Sequence, residues 1–75
     1  MQRLGTVVGT AQGLLVVRSP DDSVADPGTE VVDESLDRVG EVVEVFGPVD
    51  RPYLAVSPAD GRSAAILLDS PVYAR

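Results

Sequence analysis

The side chains able to do chemistry in this sequence are few, and the absent ones decide most. There is no histidine and no cysteine, and all six basic residues are arginine. That removes the commonest general base, the thiolate nucleophile and the Schiff-base amine. It also removes the usual zinc ligand sets. Carboxylates remain, and Asp21, Asp22 and Asp26 share one loop. Their spacing lacks the glycine and terminal glutamate of a calcium loop, so they read as a solvated acidic loop. Ser19, Ser23 and Ser35 have no histidine to activate them. Gly5, Gly9 and Gly13 lack the following lysine and helix of a phosphate cradle, and read as turn or bulge glycines. No catalytic, cofactor-binding or metal-binding residue is assigned, and an enzyme is not expected.

What remains is recognition. Twelve acidic against six basic residues give a net charge of −6. Such a surface repels phosphate backbones and argues against free-standing nucleic-acid binding. Stacking readout of RNA needs aromatics among basic neighbours. Phe46, Tyr53 and Tyr73 are the only aromatics and lie in acidic surroundings. Core or protein-interface roles are expected for all three. The acidic, lysine-free composition also suits a cytosol of very high salt, where screening shortens self-repulsion to a few ångströms.

The 75 residues are read as one small domain, 1–75. No apolar run approaches the ~20 residues that span a bilayer. The N-terminus lacks the apolar core of a signal peptide. A soluble, cytoplasmic protein is expected, with no membrane partner.

The elements that must position any site are strands. Apolar runs alternate with turn signals at short spacing, the all-β signature. The expected strands are Leu4 to Val8, Leu14 to Arg18, Thr29 to Asp33, Val39 to Phe46, Tyr53 to Ser57, Ser63 to Leu68 and a short Val72 to Ala74. The expected turns are Gly9 to Gly13, a polar loop from Ser19 ending at Pro27-Gly28, Glu34 to Arg38, Gly47-Pro48 and Pro58 to Gly61. Ala64 to Leu68 is too short for a stable helix and is read as strand. Six or seven short strands cannot build two large sheets, so a small closed β-barrel is expected.

Two features point to function. Glu41 and Glu44 are three apart, so a flat strand would place them on opposite faces. A β-bulge near Val42-Val43 would return both to solvent and keep Val42 and Val45 inside. The alternative is a regular strand with both faces partly exposed. Second, strands two and six are apolar on both faces: Leu14 and Val16 alternate with Leu15 and Val17, and Ile66 and Leu68 with Ala65 and Leu67. A one-layer barrel buries only one face of each strand, so the other meets a partner or is covered by loop 19–28. A chain of this mass exposes roughly 4,400 Å². A standard interface takes about 800 Å² from each partner, so one docking event would define its surface.

The order of motifs resembles the Gar-type subunit of H/ACA ribonucleoproteins, the RNA-guided pseudouridylation machines. Gly5 to Val8 and Gly13 to Val17 look like that family's first two strands. Pro27-Gly28, Val31-Val32-Asp33 and Val39-Gly40 follow its order. Val45-Phe46-Gly47-Pro48-Val49, then Pro52-Tyr53, Val56 and Pro58, fit its central motif, and Pro71-Val72-Tyr73 its closing strand. The resemblance implies a six-stranded barrel similar to domain 2 of translation elongation factors. It implies an archaeal type, since the eukaryotic glycine-arginine-rich extensions are not seen, and the composition suggests a halophile. It implies docking on a dyskerin-type pseudouridine synthase, promoting substrate loading and product turnover in rRNA pseudouridylation. Guide RNA and rRNA are then present in the complex without direct contact. Ser57 stands where the family often has lysine, which puts one electrostatic contact in doubt.

On this reading Phe46, Gly47, Pro48, Val49, Pro52 and Tyr53 form the docking rim. Gly47 and Pro48 shape the turn, and Val49, Pro52 and Tyr53 present apolar surface. Whether Phe46 is core or rim depends on the bulge. The rivals are a Naf-type assembly factor, whose members typically carry long extra segments, and an oligonucleotide-binding β-barrel.

Overall fold

The computed structural model describes residues 2–20, 25–59 and 68–75. They form six strands: β1 Gln2–Ala11, β2 Leu14–Arg18, β3 Glu30–Val32, β4 Arg38–Phe46, β5 Tyr53–Pro58 and β6 Pro71–Ala74. All pairings are antiparallel. The order β1-β2-β5-β4-β3-β6 closes into a barrel. Closure gives every strand two neighbours and removes the open edges that would otherwise pair with other chains.

The inner wall follows the period of two. Leu15 and Val17 of β2, and Leu54 and Val56 of β5, point inward and are buried. They meet Leu4, Val7, Val31, Val39, Val42 and Val72 in one core. Each such fully buried Leu or Val stabilises the fold by about 1.5–3 kcal/mol. Residues between them face out, so every position in β2, β4 and β5 has an assigned side.

The largest boundary differences from the sequence reading are in β1 and the turn that follows it; β2 matches, and β3 to β6 differ by a residue at one or both ends. β1 runs well past Val8, and the turn to β2 is only Gln12-Gly13, not Gly9 to Gly13. Gln12 and Gly13 both have positive φ (54° and 80°), as two-residue hairpins with the right twist require. The strand can run that far because a register shift between Val7 and Gly9 leaves Val8 as an extra residue. The expected closing strand is β6. The expected strand Ser63 to Leu68 lies, up to residue 67, outside the described residues, and Leu68 is in a turn. Of its apolar faces, Ala65, Ile66 and Leu67 lie outside the described residues, as do Asp21 and Asp22, and Leu68 is exposed.

The β4 bulge is present. The register against β5 shifts between Val42 and Glu44, leaving Val43 as the extra residue. Glu41 and Glu44 both face solvent, Val42 is buried and Val45 packs against the core. The described end of the loop after β2 is bonded to β4. Gly28 N donates to the Val42 carbonyl at 2.7 Å and Val42 N to the Thr29 carbonyl at 3.0 Å, tying the loop to β4. Ala25 enters the core.

Candidate functional site

The β4–β5 connection is built around Gly47. Its φ of 88° is a conformation that glycine adopts freely and other residues do not. A Cβ there would stand 2.8 Å from Cδ2 of Tyr53, so the missing side chain also makes room for the tyrosine ring. Phe46 and Tyr53 are direct cross-strand partners. Their rings stack with centroids 5.6 Å apart and planes 22° from parallel. Between them the chain turns, with Arg51 N donating to the Pro48 carbonyl at 3.3 Å. The turn's tip is Val49, 91% exposed.

The structure thus brings Phe46, Gly47 and Tyr53 into contact and lifts Val49 above them. Phe46 lies on the outer face, 42% exposed. Tyr53 is half-buried and Pro48 exposed. Pro52 differs from the sequence reading, which had it presenting apolar surface: it is buried. Its carbonyl accepts the Ser19 N–H at 3.1 Å, which pins the base of the turn to the end of β2. Val49 and Phe46 therefore carry the exposed apolar surface of this rim.

A second feature adjoins the rim. On the outer wall, Val16 of β2 and Glu44 of β4 both stand opposite Ala55 of β5. Ala55 faces out between the inward Leu54 and Val56, yet is only 4% exposed, because longer neighbours wall it in. The result is a groove of about 140 Å³ lined by Ala11, Gln12, Leu14, Val16, Glu44, Phe46 and Ala55. The doubled apolar pattern of Leu14 and Val16 signalled an outward apolar face. Its floor at Ala55 needed the strand register. Among the described residues no cluster of three or more His, Cys, Asp or Glu side chains is placed to hold a metal ion.

A small closed antiparallel barrel, with an apolar rim beside an apolar groove, has the form of a binding module. A family model described as the Gar1/Naf1 RNA binding region matches residues 1–75, and the chain belongs to that family. Its class of partner is accordingly RNA and ribonucleoprotein, in an H/ACA ribonucleoprotein or assembly-factor role. The family is described by RNA binding, not by a catalytic activity. Comparison with curated proteins gives no significant match.

Proposed function

We propose that this chain is a non-catalytic, Gar-type subunit of an archaeal H/ACA ribonucleoprotein. It docks on a dyskerin-type pseudouridine synthase and promotes substrate loading and product turnover in RNA-guided pseudouridylation of rRNA. The observation that carries this reading is the rim: Val49 and Phe46 expose apolar side chains on a turn shaped by Gly47 and braced by the Phe46–Tyr53 stack and the bond from Ser19 to the Pro52 carbonyl. A preorganised apolar tip suits protein docking, because little side-chain freedom is lost on binding. The family's RNA is then met within the assembled particle. A net charge of −6 opposes RNA capture by the isolated chain.

The test is calorimetric titration into the host's synthase, in molar KCl, without RNA. Saturable one-to-one binding is expected. Val49→Asp combined with Tyr53→Ala should leave a folded protein that no longer binds. Unchanged affinity in that variant removes the rim from the site. Adding the chain to synthase and guide RNA under multiple-turnover conditions should raise the rate of modification. Binding without any rate increase favours the assembly-factor member of the family instead.

A further inference from the structure

We infer that the outer groove over Ala55 receives a single apolar side chain of the synthase, flanked on that partner by a basic residue that pairs with Glu44. This inference rests on the docking reading above and adds a second point of attachment to it.

Size selects the occupant. At about 140 Å³ the groove is far smaller than the roughly 300–1,000 Å³ of small-molecule and cofactor sites. It is close to the ~150 Å³ that accommodates one benzene ring in an engineered protein cavity. One aromatic ring or branched aliphatic side chain fills it.

Lining chemistry selects further. Ala11, Leu14, Val16, Ala55 and Phe46 offer apolar surface, and Gln12 and Glu44 are the polar side chains at its edge. The exposed Glu44 stands at one wall, and no partner is found for its carboxylate among the described residues. A nucleotide would bring phosphate toward that carboxylate, whereas a protein segment can bring arginine or lysine.

Continuity completes the argument. Phe46 belongs both to the groove and, through its stack on Tyr53, to the rim. A partner lying across Val49 and Phe46 reaches the groove without leaving the protein surface. Anchors that enter pockets carry most of the affinity in such interfaces.

The experiment uses the full chain, the synthase and three variants, each checked by thermal unfolding. Ala55→Leu fills the groove without removing apolar surface. Glu44→Arg reverses the wall charge. Leu36→Ser, an exposed residue in the connection between β3 and β4, is the control. Ala55→Leu and Glu44→Arg should each weaken synthase binding tenfold or more, and Leu36→Ser should not. Methyl resonances of Leu14 and Val16 should shift when the synthase is added. Wild-type affinity in Ala55→Leu and Glu44→Arg, with Val49→Asp still disrupting binding, overturns the groove and leaves the docking reading standing. Absence of binding by the wild-type protein overturns both. Variants that keep the synthase but lose a guide RNA also overturn the inference, by giving the groove to RNA.

Discussion

Phe46 and Tyr53 face each other across β4 and β5 with their rings stacked, 5.6 Å between centroids. They are the last pair of the β4–β5 ladder and stand at the base of the exposed turn. Stacked aromatic pairs contribute about 0.5–1.5 kcal/mol beyond the area they bury. A double-mutant cycle with Phe46→Leu and Tyr53→Leu, read by urea unfolding, should return a coupling energy in that range. Strict additivity would show that the stack is incidental to stability.

Gly47→Ala should destabilise the protein by more than about 1 kcal/mol, because its φ is 88° and the new methyl meets the Tyr53 ring. The loss should show as a lower midpoint in chemical unfolding. Partner affinity should fall further than that of a variant equally destabilised in the core, since the rim itself is re-aimed.

Ser19 is 1% exposed, and among the described residues its Oγ has no hydrogen-bond partner. An unsatisfied buried polar group costs about 1–3 kcal/mol. Ser19→Ala keeps the backbone bond to Pro52 and should raise stability by about 1 kcal/mol. A lower melting temperature would mean that the hydroxyl is satisfied after all.

Gln12 holds a φ of 54° in the two-residue turn before β2. Asparagine tolerates that conformation better and is favoured there. Gln12→Asn should stabilise the hairpin by about 0.5–1 kcal/mol, measured by thermal unfolding.

With twelve acidic residues against six basic, screening should matter. At 1 M salt the Debye length is about 3 Å, so repulsion among the surplus carboxylates largely vanishes. The melting temperature should rise between 0.1 and 1 M KCl. A flat or falling dependence would remove this support for a high-salt cytosol.

Particular residues show why some of this was legible in the sequence and some was not. The alternation in Leu14 to Arg18 marked two apolar faces on β2 without saying which is inner, and the structure buries Leu15 and Val17. The odd spacing of Glu41 and Glu44 left two options open, a bulge or a regular strand exposed on both faces, and only the register against β5 decides for the bulge. Gly47-Pro48 marked the turn through local dihedral chemistry. The buried Pro52 was hidden, since it depends on a hydrogen bond from Ser19, distant along the chain. The groove was hidden for the same reason: Ala55 becomes a floor only when β2 and β4 are set on either side of it. The full length of β1 was missed because Gly9 reads as a turn residue unless the bulge at Val8 is known.

The extra residue in β4 makes that strand unequal in what it tolerates. Val43 is one more residue than the pairing with β5 uses. An in-frame deletion of Val43 would therefore leave each remaining side chain on its present side, and Phe46 would still point outward. A one-residue insertion between Glu44 and Phe46 has no such reserve, and would turn the aromatic inward or force a second irregularity. Length variation among relatives should thus be lopsided here, with shorter β4 strands outnumbering longer ones. Where a relative does lack the spare residue, its barrel gives up a bend and keeps its rim.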